Sequence, residues 1–329
     1  MSASYVIHPT RPARARRIMS RRGIVAALVL LFWIAGISAL AHRELFQGQS
    51  ERLARAGRLL DPGAEFYAVM RHGQHVGFAS STADTVPGEI VLSDLVVTEL
   101  PVGRTMRRRE VRTTVRLTRE MALAGFTRRI GSDTDAFVIT GTVHGDSALA
   151  IETRVGSEAP RPLQTVPLPG PVLLPAEVPY AIALGSTPKM GQSYRFTVFD
   201  PVHLKLGEAT VRIVAESLFV VTDSAAFDST AGHWIPAHDT TVHAWRIEEP
   251  GGGMLDAWID HSGRVVDAER PGEFSVHRMA YELAFENWRT ASKRKRSTAI
   301  HDTRTNTLVL APSHRHAAPD PHASTPSRP

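Results

Sequence analysis

The sequence predicts a mainly β protein, a large curled antiparallel sheet of the half-barrel type, preceded by one N-terminal transmembrane helix. Residues 111–118 alternate apolar and polar side chains with period two, which is typical of a strand with one buried and one exposed face. Short apolar runs separated by glycine-bearing turns recur along residues 64–288, as in successive hairpins. Residues 23–41 contain no charged residue and no proline.

The uncharged run 23–41 is long enough, at about 1.5 Å per residue in a helix, to cross the hydrocarbon of a bilayer. Six arginines and no acidic residue precede it, so the positive-inside bias keeps residues 1–22 in the cytoplasm. A cleavable signal peptide is the alternative, because residues 39–41 have the A-x-A pattern and residues 20–25 resemble a twin-arginine signal. Under either interpretation residues 42–329 leave the cytoplasm, and a retained anchor gives a single-pass protein of the inner membrane with its body in the periplasm or outside the cell.

Charge and composition divide the rest of the chain. The arginines of residues 1–22 and the eight lysines or arginines of residues 289–329 give both ends of the chain a positive charge. Together these charges exceed the net charge of +5 for the whole chain, so the body between them has a negative net charge. Such a body lacks the basic face that nucleic-acid binding requires. We therefore predict a juxtamembrane helix or linker at 42–63, a β-rich exported domain at 64–288 and a disordered tail at 289–329.

The chain contains no cysteine. Disulfide bonds, thiolate nucleophiles and zinc sites with cysteine ligands are therefore excluded. No cofactor is expected from any motif in the sequence.

Apolar runs and turns predict the elements in chain order. A hairpin is expected first, and three strands follow the one at 111–118, the last of which again alternates. A second firm hairpin and one more strand precede a short helix at 281–288, whereas residues 217–243 look less regular. The remaining predicted strands are 65–71, 75–80, 126–130, 136–143, 149–155, 193–199, 210–215, 255–260, 264–267 and 274–280.

Residues 160–188 contain eight prolines around apolar clusters. Proline cannot donate a ladder hydrogen bond, so this segment is not a central strand. We expect it to cross the sheet, with one helix over 176–184, and to act as a lid or plug over the concave face. The residues expected to pack on the sheet are Leu173, Leu174, Tyr180 and Leu184.

Several stretches share turn and strand-edge motifs with a known family. They are 65–69 (EFYAV) with Gly73, 76–80 (VGFAS), 191–194 (GQSY), 198–201 (VFDP) and 257–260 (AWID). Over residues 64–285 the chain resembles the β-rich bacterial envelope domains that precede transglutaminase-like domains. The resemblance implies a curled sheet similar to the half-barrel of lipoprotein carriers. The transglutaminase-like domain itself is not expected here, since no cysteine is present to act as its nucleophile.

Two groups of residues invite a catalytic or metal interpretation. Gly145-Asp146-Ser147 resembles the opening motif of serine esterases, and Asp200 with His203 could supply its acid and base. Residues 145–147 lie between two β runs, however, which favours a hairpin turn. His233, His238 and His243 recur every five residues, which directs successive rings to opposite faces of a strand, so no metal site is predicted.

A run of arginines gives a positive stripe on the exposed face of one strand. It either protects an exposed edge from aggregation or contacts an anionic surface or acidic partner. Its members are Arg107, Arg108, Arg109, Arg112 and Arg116. Together these features predict a non-catalytic, membrane-anchored envelope module that binds a protein partner or a lipid-like apolar ligand. An exported serine hydrolase using Ser147 with Asp200 or His203 is the alternative.

Overall fold

The computed structural model describes residues 33, 50–103, 105–131, 135–145, 147–250, 256–270 and 273–294. Of the predicted span at 23–41, all but Trp33 lies outside these residues, as does the tail from residue 295. Within the described ranges, no helix combines the length and the apolar character needed to cross a bilayer. The chain divides into two compact units after Arg52, and the sheet belongs to the second, from Leu53 onward.

Fourteen antiparallel strands form one curled sheet that is not closed, and strand accounts for 62% of the described residues. This confirms the mainly β prediction. The strands run in the order β8-β7-β6-β5-β4-β3-β2-β1-β14-β13-β12-β11-β10-β9. Their bounds are β1 (Gly63–Arg71), β2 (Gln74–Val86), β3 (Glu89–Val102), β4 (Thr105–Thr118), β5 (Leu123–Ile130), β6 (Phe137–His144), β7 (Ala148–Val155), β8 (Arg161–Pro167), β9 (Ser193–Asp200), β10 (Lys205–Asp228), β11 (His233–Glu248), β12 (Ala257–Asp260), β13 (Val265–Arg270) and β14 (Phe274–Arg278).

The main core lies on one face of this sheet and includes residues from both of its halves. Alternate side chains of β4, such as Val115 and Leu117, are buried there, which is what their period-two pattern predicts. Helix α1 (residues 50–59) adds Leu53 and Ala56 to the same core. This part of the predicted linker is therefore packed into the β-rich unit.

The proline-rich segment begins with the edge strand β8 and leads from it to β9, the strand at the other edge of the sheet. It contains the edge strand β8 itself, a 3-10 turn (Pro175–Glu177) and helix α2 (Val178–Gly185), so the helix expected over 176–184 is present. Leu173 pairs with the edge of β9 in an isolated parallel bridge. Its N–H donates to Thr197 O at 3.0 Å, and its carbonyl accepts from Phe199 N at 2.9 Å. The segment thus covers the open edge of β9.

Helix α3 (residues 281–294, π-helical over Glu282–Glu286) packs on the opposite face of the sheet. Its Ala284 and Trp288 join Phe78 and Val97 in a second apolar cluster. Asn287 also holds the tip of the β10–β11 hairpin, since its side-chain amide accepts from the backbone N–H of Trp234 and donates to that residue's carbonyl. The helix predicted at 281–288 is therefore present and continues to residue 294.

The prediction that residues 217–243 are less regular is wrong. They form most of the long β10–β11 hairpin. Register shifts near residues 214 and 223 interrupt the alternation, and most of the outer half of the hairpin is exposed on both faces. A strand with neither a constant register nor a buried face has no period-two signal.

Candidate functional site

A cavity of about 560 Å³ opens on the concave face of the sheet. Its floor is formed by β1 to β5 with β13 and β14, and its roof by residues 174–180 of the 3-10 turn and α2. The end of β9 and the start of β12 complete the wall. Volumes of this size are typical of small-molecule pockets. The walls are mainly apolar, with contributions from Val96, Val265, Ala268, Val276, Leu174, Pro175, Pro179 and Val202.

Four polar side chains cross the floor in one row. Register pairs Ser81 with Asp94, Asp94 with Thr113, and Thr113 with Arg128, on β2, β3, β4 and β5. Directly opposed residues on neighbouring strands share a face, so all four side chains project from the same side, and all four line the cavity. We call these four residues the polar row.

Hydrogen bonds within the polar row are unevenly distributed. Ser81 Oγ donates to Asp94 Oδ1 at 2.7 Å, which satisfies one carboxyl oxygen. Arg128 Nη1 makes only a long contact of 3.4 Å with Thr113 Oγ1. The buried Nε of Arg128 has no hydrogen-bond partner in the described part of the chain. The guanidinium therefore retains unused donors in the cavity wall.

Burial changes the acid–base properties of the groups around the row. It raises the pKa of Asp94, and the hydrogen bond from Ser81 only partly opposes this. Burial, followed by the nearby charge of Asp94, raises the pKa of Tyr180 in the roof to about 12. Burial also lowers the pKa of Arg128, and the negative charge of Asp200 acts in the opposite direction.

Asp200 and His203 form a hydrogen-bonded pair at the mouth of the cavity. The carboxylate also accepts from the backbone N–H of Val202 at 2.7 Å. Although partial burial acts the other way, the hydrogen bonds from His203 and Val202 lower the pKa of Asp200. Its carboxylate is thus already engaged by local donors.

The structure locates each predicted lid or plug residue. Leu173 and Leu174 are fully buried in the main core, Tyr180 is buried under the roof, and Leu184 is half-buried against the same core. Leu174 and Tyr180 also line the cavity. Whether this segment gates access to the cavity stays a prediction.

Ser147 and the Asp200–His203 pair, the residues considered for a hydrolase, make hydrogen bonds with different partners. Ser147 is exposed in the turn between β6 and β7, and its carbonyl accepts from Leu168 N at 2.8 Å. Among the described residues, no hydrogen bond joins its side chain to Asp200 or His203. Only Asp200 of the three lines the cavity.

The arginine stripe is exposed throughout, but its placement on a single face is wrong. Side chains alternate along β4, so Arg108, Arg112 and Arg116 lie on the outer face. Arg107 and Arg109 lie on the other side of the strand, the side that faces the concave surface further along. Arg108 approaches Glu110 at 3.6 Å on the outer face. Contact of these arginines with an anionic surface stays a prediction.

The three regularly spaced histidines make separate contacts. His238 pairs with Asp223 at 2.7 Å, and His243 packs edge-on against Trp245. His233 contacts the carbonyl of Ala231 in its own turn. In the described ranges, no group of three or more histidine or acidic side chains is arranged to hold a metal ion.

Sequence reasoning missed the polar row entirely. Its members stand on four different strands, and each is an ordinary polar residue in its own stretch. A signal existed at Asp94, since an acidic residue faces inward there with the buried Leu92 of β3. Only the register of all four strands brings it into line with Arg128.

No protein-family model matches the chain, and no curated protein matches it significantly. The chain is similar to two solved structures, each with 11% sequence identity. One is a β-barrel-like protein of the domain of unknown function DUF1849 from Brucella abortus, with a TM-score of 0.38 over 67% of this chain and 95% of that one. The other is a DUF1089 family protein from Pseudomonas aeruginosa, with a TM-score of 0.32 over 61% of this chain and 92% of that one.

Proposed function

We propose that this protein is a non-catalytic binding module that holds an apolar or amphipathic small ligand in the cavity of its concave face. The observation that carries the proposal is the cavity itself, which is large, mainly apolar and provided with a few polar side chains on one wall. Val96 and Val202 in its lining are 38% and 53% exposed, so a ligand can enter from solvent.

Filling the cavity tests this proposal. The neutral apolar dye Nile red is titrated against the purified full-length chain and against Ala268→Phe, whose new ring projects into the cavity. Ala226→Phe, on the exposed β10–β11 hairpin, is the matched control. Dye binding that weakens at least tenfold in Ala268→Phe and is unchanged in Ala226→Phe supports a ligand cavity. Absent or equal binding in all three proteins contradicts it.

We further propose that this module acts in the cell envelope, anchored by residues 23–41 with its body in the periplasm. Support comes from the uncharged run and the six arginines before it. Protease added to right-side-out inner-membrane vesicles is expected to digest the body. A protected body would show that the orientation is wrong. The natural partner is then an envelope protein or a lipid-like molecule of the membrane.

A hydrolase remains the rival proposal, supported only by the Asp200–His203 pair at the cavity mouth. Catalysis by Ser147 requires a base within hydrogen-bond reach of its hydroxyl. We expect Ser147→Ala to leave any ester turnover of the purified chain unchanged. Loss of a robust activity in this variant would favour the hydrolase.

A further inference from the structure

The cavity combines an apolar interior with the guanidinium of Arg128, which forms no direct ion pair within the described part of the chain. Among the described residues, no carboxylate lies within ion-pair distance of Arg128, although Asp200 influences it from further away. Its Nε is buried without a hydrogen-bond partner, and its Nη1 makes a single long contact. Because Nε is covered by protein atoms, the donors within reach of a ligand are Nη1 and Nη2, of which only Nη1 has a partner in the described part of the chain. A desolvated cation without an acceptor is unfavourable, so a ligand that supplies acceptors to these two nitrogens gains affinity.

Each acidic residue in the lining, Asp94, Asp200 and Asp256, already accepts a hydrogen bond from the protein, Asp256 from the backbone N–H of Glu249 at 3.0 Å. Asp200 is occupied by His203 and by backbone N–H groups. Asp94 accepts from Ser81. Ser81 engages only one carboxyl oxygen of Asp94, and burial raises the pKa of that group. The cationic donors of the polar row that remain unused are those of Arg128.

From this arrangement we infer that the ligand is a single-chain amphiphile with a carboxylate headgroup, bound by Arg128. The planar fork of a guanidinium matches a carboxylate with two parallel hydrogen bonds. The hydrocarbon chain then lies along the apolar floor formed by Val96, Val276 and Ala268. This inference rests on the proposed binding function and specifies its ligand.

The experiment compares three probes that share one hydrocarbon chain. Dodecanoate, dodecanol and dodecylamine each displace Nile red from the purified full-length chain at neutral pH. Dodecanoate is expected to act at concentrations at least tenfold lower than the alcohol, and the amine is expected to be weakest. Equal displacement by the three, or preference for the amine, overturns the inference while leaving the cavity itself supported.

Variants assign the preference to one residue. Arg128→Gln is expected to lose the preference for dodecanoate over dodecanol, whatever its own affinity for Nile red. Arg112→Gln, on the outer face of β4, is the control and is expected to retain it. Preference that survives in Arg128→Gln overturns the assignment. If that variant does not fold, as judged by near-ultraviolet circular dichroism, the order of the three probes on the wild-type chain decides.

The two proposals fail in different ways. If Nile red does not bind, or binds equally well to Ala268→Phe, the binding function is wrong. If the dye binds in the cavity but the carboxylate has no advantage, only the ligand class is wrong.

Discussion

Arg278 donates a hydrogen bond from Nη1 to Oδ2 of Asp260 at 2.8 Å, and the two side chains are only 7% and 6% exposed. The pair joins the end of β14 to the β12–β13 turn. Asp260 also accepts from the backbone N–H groups of Ser262 and Arg264, at 2.9 and 3.0 Å. This carboxylate therefore organises the turn that carries Arg264 towards Glu65 of β1.

We expect Asp260→Ala to lower the free energy of unfolding by about 3–5 kcal/mol, because it leaves a buried guanidinium charge without its main partner. Urea unfolding followed by circular dichroism measures the change. Glu158→Ala is the control, since it breaks an exposed pair with Arg161 whose loss typically costs about 0–1 kcal/mol. Equal small losses in both variants would show that the buried pair contributes little.

Gly263 in the same turn lies directly against the roof of the cavity. A Cβ atom added there would lie 2.6 Å from Tyr180 Cα, and the residue has a φ of +79°. Gly73 has a similar φ of +73° but open space around it. We expect Gly263→Ala to be about 1–3 kcal/mol more destabilising than Gly73→Ala, because both strain the backbone but only the first displaces α2.

The difference between these two glycine variants gives the part of the stability loss that comes from the clash with Tyr180. Thermal or urea unfolding measures both, and Nile red binding reports whether the roof has moved. Equal destabilisation of the two would mean that α2 shifts without cost, and would contradict a fixed roof.

The parts of the fold that sequence predicts are those with a constant register. The alternation of residues 111–118 indicated β4 correctly, because one face of this part of the strand is buried or half-buried. The hairpin at residues 217–243 was missed, because its bulges and exposure remove the periodic signal. The same limit applies to the arginine run, where placement on one face was wrong although its exposure was predicted correctly.

The candidate site was less accessible to sequence reasoning than the fold. Arg128 and Asp94 are 34 positions apart, and although Asp94 is an acidic residue on an inward-facing position, nothing in the stretch around Arg128 marks it as a ligand contact. Their alignment depends on the pairing of β3 with β4 and of β4 with β5. The roof was easier to anticipate, since the apolar residues of a proline-rich segment cannot be exposed without cost.

Glu177 should make stability depend on pH. Its side chain is fully buried, and neither carboxyl oxygen has a hydrogen-bond partner in the described part of the chain. Burial raises the pKa of Glu177 well above its ordinary value of 4.5. Above pH 4.5 the unfolded chain loses this proton while the folded chain retains it, so stability falls as pH rises towards the folded-state pKa.

Glu177→Gln replaces the carboxyl with a neutral group of similar shape. We expect the variant to lose part of the decline in urea midpoint between pH 5 and pH 8, and to gain stability over the wild type at the higher pH. Asp94, whose pKa burial also raises, accounts for some of the decline that remains. Glu208→Gln, at an exposed position on β10, should leave the profile unchanged. A profile of Glu177→Gln identical to the wild type would contradict the buried, protonated state.

Leu173 and Leu184 distinguish a structural plug from a mobile lid. Leu173 is fully buried and its backbone is hydrogen-bonded to β9, whereas Leu184 is half-buried. We expect Leu173→Ala to cost about 2–5 kcal/mol, as is usual for a buried leucine, and Leu184→Ala to cost less. Urea unfolding gives both values.

A lid that opens to admit ligand would instead give small losses in both variants together with increased uptake of Nile red, because few core contacts would hold it in place. The backbone hydrogen bonds of Leu173 favour the plug, with the ligand entering beside the segment at Val96 and Val202.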